Sequence, residues 1–452
     1  MAVRKLFGTD GIRGSANCHP ITPEIALRWG RAAGYLMRRK GADRPRFVIG
    51  RDTRCSGGML ESALIAGLNS VGADVLLTGI IPTPAVACLV TELHAAGGIV
   101  ISASHNPAGD NGLKLFGADG YKLDDALEER LEALILTDEI DNERSLGEAL
   151  GTTSIIPDAS ERYGAMAKAS VPGISLHGLK IAVDCANGAS FQTTPQVLKD
   201  LGATLFVFHA EPNGMNINDR CGSTHDDEIS RLVKETGAQI GISHDGDADR
   251  LVLCDEKGEV VDGDEILAMT ALDALRRGTL AGKTLVATVM SNFGLDESIA
   301  AAGGKVIRTA VGDRYVVEAM RAGNFSIGGE QSGHLIFRDH GTTGDGLIAA
   351  LQVLRIMTES GKPLSELRRC LKKYPQAQRN LRVKEKPPLE SLSEVARLVS
   401  ETEAALSGKG RVLLRYSGTE PKVRLLIEGP DEVVINAAAD KIASALTSAI
   451  GA

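Results

Sequence analysis

Short apolar segments alternate with longer amphipathic ones along most of this chain. The short segments are rich in β-branched residues and end at glycine or charged residues, which is typical of strands buried in a parallel sheet. Nine strands are predicted on this basis, at residues 46–50, 73–77, 98–101, 180–184, 204–208, 240–243, 285–290, 305–309 and 325–328. Helical patterns lie between them, for example at residues 24–39, 57–70 and 124–136. Because strands and helices alternate, we expect parallel sheets with right-handed crossovers.

This alternation occurs three times and then changes character. Pro387-Pro388 marks a junction, residues 411–428 hold two apolar strands around a tight turn, and a final helix begins at Glu432. With 452 residues, the chain is long enough for about three to four domains. We therefore predict an α/β protein of four domains. Three have similar mixed, mostly parallel α/β sheets, at residues 1–152, 153–258 and 259–373, and a smaller C-terminal α+β domain covers residues 374–452.

Composition and charge argue against several kinds of partner. The 58 acidic and 50 basic residues give a net charge of −8, so no basic field exists to hold nucleic acid. The seven cysteines are scattered without a CxxC pair, which indicates reduced thiols. Neither an apolar leader nor a stretch of about 18 uninterrupted apolar residues is found. We expect a cytoplasmic protein that acts on a small molecule and has no nucleic-acid or membrane partner.

The segment after the third strand, here called the serine loop (residues 102–110), contains a candidate nucleophile. Its first residues are Ser102-Ala103-Ser104-His105-Asn106-Pro107. Residues at the carboxyl ends of parallel strands face the crevice where open α/β sheets bind ligands, so Ser104 is expected over a binding site. A simple polar turn would have a similar composition, and the loop alone does not separate the two interpretations.

Three carboxylates at alternate positions follow another strand and form the acidic loop (residues 245–250). Asp245, Asp247 and Asp249 would repel one another unless a divalent cation lay between them, and oxygen ligands suit Mg²⁺ or Ca²⁺. A helix-loop-helix calcium site is disfavoured, because Arg250 occupies the sixth position, where that loop requires glycine. A solvated acidic turn is the remaining alternative.

Two further loops follow later strands. The Glu-His loop (residues 330–334) reads Glu330-Gln331-Ser332-Gly333-His334. The arginine loop (residues 415–424) begins Arg415-Tyr416-Ser417-Gly418-Thr419-Glu420-Pro421 and ends at Arg424. Backbone N–H groups, two hydroxyls and guanidinium groups match the geometry of a phosphate, although a hairpin turn with incidental arginines would look similar. No G-x-G-x-x-G fingerprint opens a helix and no G-x-S-x-G surrounds Ser104, so dinucleotide redox chemistry and acyl transfer lose support.

Taken in this order, the four loops resemble the α-D-phosphohexomutase superfamily across essentially the whole chain. The opening segment adds to the resemblance, and it reads Phe7-Gly8-Thr9-Asp10-Gly11-Ile12-Arg13-Gly14. The resemblance implies that Ser104 becomes a phosphoserine nucleophile. It also implies that Asp245, Asp247 and Asp249 hold one Mg²⁺ together with an oxygen of the phosphoserine.

The resemblance implies roles for further residues. Lys114 and Arg250 would be cations beside the transferred group, with Lys114 also a proton acceptor, and His105 would position the serine loop. Without the resemblance, Lys114 would be interpreted as a solvated surface lysine. The implied substrate contacts are Arg13 near the phosphoserine, Glu330 and Ser332 on the sugar hydroxyls with His334 supporting their loop, and Arg415, Ser417, Gly418, Thr419 and Arg424 on the phosphate that is not reacting.

The implied activity moves a phosphoryl group between two positions of a sugar. Gln331, where hexose-specific relatives usually carry methionine, favours interconversion of glucosamine 6-phosphate and glucosamine 1-phosphate through a 1,6-bisphosphate. Glucosamine or glucose 1,6-bisphosphate would act as activator, and the product would feed UDP-N-acetylglucosamine synthesis. A glucose or mannose phosphate mutase is the main alternative, followed by a metal-dependent phosphatase and an inactive sugar-phosphate sensor. The resemblance further suggests a homodimer, and two binding orientations favour a mobile last domain on a hinge near Pro387.

Overall fold

The computed structural model describes residues 6–8, 11–39, 44–417 and 421–452. These residues form four sheets, three of them mixed α/β sheets and one a small antiparallel sheet. The predicted fold class is therefore confirmed.

The first sheet has six strands in the order β1-β5-β4-β2-β3-β6. Its strands are β1 (Ile12–Ser15), β2 (Arg46–Arg51), β3 (Asp74–Ile80), β4 (Gly97–Ile101), β5 (Asp110–Gly117) and β6 (Thr153–Ile155), and its helices are α1 (Pro23–Arg39), α2 (Gly57–Ser70), α3 (Thr83–Glu92) and α4 (Asp125–Leu136). β2, β3, β4 and β6 run parallel, whereas β5 returns antiparallel beside β4. Because β6 pairs with β3, the first sheet extends three residues past the predicted boundary at residue 152.

The second sheet has the strand order β11-β10-β9-β7-β8. Its strands are β7 (Lys180–Asp184), β8 (Thr204–Phe208), β9 (Ile240–His244), β10 (Leu251–Asp255) and β11 (Val260–Val261), with helices α5 (Ala159–Ala169), α6 (Thr193–Asp200) and α7 (Asp226–Thr236). β7, β8 and β9 are parallel, and β10 turns back antiparallel to β9. The acidic loop is therefore the connection between β9 and β10.

The third sheet has the strand order β13-β12-β14-β15. Its strands are β12 (Thr284–Thr288), β13 (Lys305–Thr309), β14 (Ile327–Gly329) and β15 (Leu335–Phe337), with helices α8 (Gly263–Arg277), α9 (Gly294–Ala301), α10 (Asp313–Gly323), α11 (Gly346–Ser360) and α12 (Leu364–Leu367). β12 pairs in parallel with β13 and β14, whereas β15 is antiparallel to β14. The Glu-His loop is the turn between β14 and β15.

Carboxylate caps fix where two helices of the third domain begin. The Asp262 side chain accepts hydrogen bonds from the backbone at the start of α8, and Glu265 returns the contact in a capping box. The Asp345 side chain accepts a hydrogen bond from Ile348 N at the start of α11. Caps of this kind stabilise a helix by about 1 kcal/mol.

The last domain is an antiparallel sheet covered by two helices. Its strands are β16 (Gln376–Arg382), β17 (Arg411–Tyr416) and β18 (Lys422–Glu428), and its helices are α13 (Ser393–Leu406) and α14 (Glu432–Ile450). β18 lies in the middle of the sheet. By length and composition alone α14 could cross a membrane, which is weak evidence because one face of it, including Ile435 and Ile442, is buried in this domain.

The junction and hinge predicted near Pro387 are wrong. β16 precedes Pro387 and already belongs to the C-terminal sheet. The Tyr416 hydroxyl donates a 2.7 Å hydrogen bond to the Pro387 carbonyl, so this segment packs inside the last domain. The chain enters the domain earlier, where Asn292 of the third domain exchanges two 2.9 Å hydrogen bonds with the backbone of Tyr374.

The largest hydrophobic core of the described residues spans the first three domains. One core continues from Val48 in the first sheet through Val183 in the second to Leu285 in the third. The last domain has a separate core of its own, built around residues such as Val423 and Ile442. The serine, acidic and Glu-His loops therefore lie in the three domains that share a core, and the arginine loop lies in the domain with a core of its own.

Candidate active site

Ser104 lies three residues beyond the end of β4 and is 1% exposed. Its backbone is in the left-handed region with φ +52°, and its N–H donates a 2.9 Å hydrogen bond to Ser102 Oγ. Its hydroxyl donates a 2.6 Å hydrogen bond to Asp245 Oδ2 and lies 3.4 Å from Nδ1 of His105. The fold thus brings the serine loop of the first domain against the acidic loop of the second.

The three predicted metal ligands form one buried cluster. Oxygen atoms of Asp245, Asp247 and Asp249 all lie within 4.8 Å of one another. Asp247 Oδ1 is buried and has no hydrogen-bond partner among the described residues. Buried carboxylate oxygens without donors fit a hard divalent cation, so the residues present suit Mg²⁺.

The electrostatics of the cluster differ from one carboxylate to the next. Burial and the charges of Asp249 and Asp247 raise the pKa of Asp245 to about 7. Burial also opposes ionisation of Asp249, but Lys114 and His334 outweigh it and hold the pKa of Asp249 well below its ordinary value. Asp249 is therefore ionised, whereas the protonation state of Asp245 depends on the charges placed next to it.

Lys114 is 1% exposed, so it is not a solvated surface lysine. It lies on β5, which returns beside β4 and carries the side chain back toward the acidic loop. Lys114 Nζ lies 2.8 Å from Asp247 Oδ2 and 3.4 Å from Asp249 Oδ2. The lysine thus places a positive charge directly between two of the carboxylates.

Two arginines and a neutral histidine complete this side of the site. Arg250 Nε is 3.9 Å from Asp249 Oδ1, and Arg13 lies on β1 opposite Gly112. Burial and then the charges of Arg250 and Arg13 lower the pKa of His105 to about 4. His105 is therefore neutral at pH 7, which suits a positioning role better than a charged one.

The Glu-His loop contacts the acidic loop directly. Leu251 N donates a 3.0 Å hydrogen bond to the Gly333 carbonyl, and His334 Nδ1 lies 3.7 Å from Asp249 Oδ1. His334 Nε2 lies 3.7 Å from Asp313 Oδ2. Burial opposes protonation of His334, but the carboxylates of Asp249 and Asp313 outweigh it and raise its pKa.

The other members of the Glu-His loop differ in exposure and partners. Glu330 Oε1 accepts a 3.1 Å hydrogen bond from Gly312 N, and Ser332 is exposed. Gln331 Nε2 donates to Asp262 Oδ2 at 3.4 Å. The hydroxyl of Ser332 is therefore accessible, and the Gln331 amide is tied to the helix cap behind the loop.

The arginine loop places two guanidinium groups side by side. Arg415 on β17 pairs in register with Arg424 on β18. Burial and the charge of Arg424 lower the pKa of Arg415, so an anion bound here would relieve a repulsion. Ser417 N donates a 2.8 Å hydrogen bond to Lys422 O, whereas the predicted phosphate contacts Gly418 and Thr419 lie outside the described residues.

Sequence reasoning missed four residues that hold these loops. Thr83 Oγ1 donates a 2.6 Å hydrogen bond to Asp247 Oδ2, and Lys386 Nζ donates a 2.7 Å hydrogen bond to the Ser417 carbonyl. Arg54 and Asn218 bind backbone carbonyls of the serine loop. The position of Arg54 just after a strand end was an available signal, whereas the contacts themselves depend on tertiary structure.

Four family models match the chain in order. They are described as phosphoglucomutase/phosphomannomutase alpha/beta/alpha domain I (residues 4–141), domain II (161–258), domain III (262–374) and the C-terminal domain (379–445). Among solved structures, a phosphoglucomutase/phosphomannomutase family protein from Burkholderia thailandensis has a TM-score of 0.80 at 24% identity, covering 97% of each chain. Aspergillus fumigatus N-acetylphosphoglucosamine mutase, in complex with GlcNAc-6P and magnesium, has a TM-score of 0.70 at 19% identity, covering 98% of this chain and 96% of that one. The fold and its four domains thus define a phosphohexomutase.

Curated relatives narrow the class. The phosphoglucosamine mutase of Anaeromyxobacter sp. (strain Fw109-5) is 51% identical over 453 residues, covering 99% of this chain and 96% of the relative. That of Geobacter sp. (strain M21) is 51% identical over 450 residues, covering 99% of each. The chain belongs to the phosphoglucosamine mutase family, which confirms the predicted superfamily and the prediction that it is an enzyme of the mutase class.

Proposed function

We propose that this protein interconverts glucosamine 6-phosphate and glucosamine 1-phosphate through phosphorylated Ser104 and a glucosamine 1,6-bisphosphate intermediate. The observation that carries the proposal is the 2.6 Å contact between Ser104 Oγ and Asp245 Oδ2 inside a buried carboxylate cluster. Asp245 thereby connects the Ser104 hydroxyl to a cluster of three buried carboxylates that suits a divalent cation. The names of the relatives at about 50% identity support the choice of substrate.

Asp245, Asp247 and Asp249 would hold a magnesium ion together with an oxygen of the phosphorylated serine. When bound, the ion neutralises charge that spreads over the oxygens of a transferring phosphoryl group. The residues around it supply the rest. Thr83 and Lys114 both contact Asp247 Oδ2, so the donor set of this carboxylate is fixed before any ligand binds.

Phosphoryl transfer to the sugar breaks the bond between phosphorus and Ser104 Oγ and forms a bond to the free sugar hydroxyl. We assign Lys114 and Arg250 the role of cations beside the transferring group, since they flank the carboxylates that face Ser104. The second role predicted for Lys114, accepting the hydroxyl proton, requires the neutral amine. The hydroxyl proton released in this step would pass to that neutral amine, and protonated Lys114 would then be a cation 2.8 Å from Asp247 Oδ2 and 3.4 Å from Asp249 Oδ2.

The remaining predicted residues hold the substrate. Glu330 and Ser332 would bind sugar hydroxyls, with His334 holding their loop against the acidic loop. Arg415, Ser417 and Arg424, with Gly418 and Thr419, would bind the phosphate that is not reacting, and Arg13 would contact the phosphoserine. The bisphosphate has a phosphate at each end, so the same anchor accepts either end. Reorientation of the intermediate then returns a phosphoryl group to Ser104 and releases the other monophosphate.

A coupled mutase assay tests the substrate. The assay contains Mg²⁺ and a trace of glucose 1,6-bisphosphate as activator, and it compares glucosamine 6-phosphate with glucose and mannose phosphates at equal concentration. We expect a preference of about 100-fold or more for the amino sugar, which corresponds to about 2.7 kcal/mol. Equal or better turnover of the hexose phosphates would support a glucose or mannose phosphate mutase instead.

A single variant tests the nucleophile separately. Ser104→Ala is expected to fold normally and to lose both mutase turnover and phosphorylation by the bisphosphate. Appreciable turnover in Ser104→Ala would remove Ser104 from the mechanism, whatever the preferred sugar.

We also place the enzyme in the cytoplasm, upstream of UDP-N-acetylglucosamine synthesis. All seven cysteines are free, which supports a reducing compartment. We also propose that the protein forms a homodimer, and sedimentation of the purified chain tests this.

A further inference from the structure

We propose that Arg54, together with Asn218, is a positioning residue that locks the backbone of the serine loop for phosphoryl transfer. The inference rests on the proposed role of Ser104 as nucleophile. Neither residue belongs to the metal cluster or to the predicted substrate contacts.

The Arg54 guanidinium is fully buried and uses all five of its N–H donors. Nε binds Asp52 Oδ2 at 2.8 Å, and the other four N–H groups point at carbonyl oxygens of the serine loop. Those carbonyls belong to Ser104 at 3.0 Å, Asn106 at 2.8 Å, Asp110 at 2.9 Å, and Pro107. One side chain therefore holds both ends of the loop.

The second domain grips the same loop from the other side. Asn218 Nδ2 donates to the Ser104 carbonyl at 2.9 Å and to the Asn106 carbonyl at 3.1 Å. Asn218 is 7% exposed and has φ +58°, a backbone conformation that asparagine tolerates. The Ser104 and Asn106 carbonyls of the serine loop thus each accept hydrogen bonds from both the first and the second domain.

Arg54 and Asn218 are here called the clamp, and a third contact connects the clamp to the nucleophile. Asp52, the partner of Arg54, accepts a 2.6 Å hydrogen bond from Ser102 Oγ, and Ser102 Oγ accepts the N–H of Ser104. Ser104 itself lies in the left-handed region, which is unfavourable for a non-glycine residue and persists only when neighbours impose it. Arg54 binds the carbonyl of Ser104, and Asp52 acts on the N–H of Ser104 through Ser102 Oγ.

The arrangement has a chemical consequence for transfer. Carbonyl oxygens carry partial negative charge, which would repel a phosphoryl group on Ser104. Four carbonyls of the loop are instead turned toward a buried cation. Since a misplacement of about 1 Å in an active site can cost about 100-fold in rate, the clamp acts on the chemical step rather than on substrate binding.

Arg54→Lys tests this proposal, because lysine keeps the charge but has three donors and no planar fork. We expect kcat to fall about 100-fold while KM for glucosamine 6-phosphate stays within about threefold. Transfer from glucose 1,6-bisphosphate to dephosphorylated Ser104, followed by mass spectrometry, should slow by a similar factor. Arg355→Lys is the matched control, since Arg355 is also mostly buried but pairs with Asp273 and Glu359 in the third domain.

Asn218→Gly provides the test if Arg54→Lys does not fold, because glycine accepts φ +58° and has no side-chain amide to bind the loop carbonyls. We expect it to lower kcat about tenfold with little change in KM. Folded Arg54→Lys with wild-type kcat, or Asn218→Gly with wild-type kcat where the lysine variant is unfolded, would overturn the clamp. A loss of kcat in Arg355→Lys equal to that in Arg54→Lys would also overturn it, since the effect would then be general destabilisation. Ser104→Ala measured in parallel separates failure of the proposed function from failure of the positioning role. Appreciable turnover in Ser104→Ala would reject the proposed function itself.

Discussion

The hydroxyl of Ser104 donates a 2.6 Å hydrogen bond to Oδ2 of Asp245, a residue 141 positions further along the chain. This contact joins the first domain to the second at the point where both sheets end. Phosphorylation of Ser104 would replace the donated proton with a dianion beside three carboxylates. The phosphorylated form therefore requires added positive charge at the acidic loop.

Magnesium should stabilise the wild-type protein through this cluster. We expect the thermal unfolding midpoint to rise with Mg²⁺, since a ligand at 100 times its Kd adds about 2.7 kcal/mol to the native state. Asp247→Asn removes one ligand charge and should abolish most of the rise. Glu228→Gln is a suitable control, because Glu228 is in the same domain but pairs with His209 and Arg231. An equal Mg²⁺ response in Asp247→Asn and wild type would argue against the cluster as the binding site.

Replacing Lys114 should separate metal binding from catalysis. Lys114→Met removes the cation between Asp247 and Asp249, so the carboxylates repel one another more strongly and Mg²⁺ should bind more tightly in a titration. The same change should lower kcat by about 100-fold, because a charge beside the transferring group is lost. Lys168→Met, which breaks a surface ion pair with Asp200, should leave both quantities unchanged. Weaker Mg²⁺ binding in Lys114→Met would contradict the assigned role.

The arginine loop should govern affinity for the phosphate that does not react. Arg424→Met is expected to raise KM for glucosamine 6-phosphate about tenfold or more, with weaker inhibition by inorganic phosphate, because charge-assisted hydrogen bonds are lost. Arg379→Met serves as the control, since Arg379 is on the neighbouring strand and contacts Asp440 and Asn436. Unchanged KM in Arg424→Met would place the anchor elsewhere.

Asp345 should make stability depend on pH. Burial raises the pKa of Asp345 to about 6 in the folded protein, despite hydrogen bonds from Ile348 N and Tyr163. The unfolded carboxyl titrates near 3.9, so between these values the folded state binds more protons and this group's contribution to stability falls as pH rises. Asp345→Asn does not titrate at this position. As pH rises from about 4 to about 7, its free energy of unfolding should therefore increase relative to that of the wild type, by at most about 3 kcal/mol. Urea unfolding at several pH values measures this difference. If the free energies of unfolding of both proteins change with pH in parallel, Asp345 is not the source of the pH dependence.

Much of the fold could be predicted from local patterns. Strands at 180–184, 204–208 and 305–309 were predicted to the residue, because β-branched and aromatic residues are frequent in these short segments. The return strand β5 was not predicted, since its polar and glycine residues do not form a continuous apolar run. The hinge near Pro387 failed because a proline pair also occurs in loops within a domain.

The candidate site also contains residues that local sequence reveals and residues that only the tertiary structure reveals. Ser104 and the three aspartates could be found because their side chains carry the chemistry and lie at strand ends. Asn218 could not, and the position of Arg54 after a strand end indicates a site without showing its contacts, because both side chains act on backbone carbonyls, which no sequence motif displays. Their roles exist only once two domains are packed together.

The continuous core through the first three domains also limits how the enzyme can open. Turning any of these domains against another would expose apolar surface around residues such as Val183 and Leu285. The last domain has its own core and is held to the third domain by polar contacts such as Phe293 N to Glu428 Oε1 at 3.0 Å and Arg411 Nη2 to the Ser291 carbonyl at 2.7 Å. We therefore expect any opening that admits substrate to displace the last domain, which carries Arg415 and Arg424, and to leave the first three together.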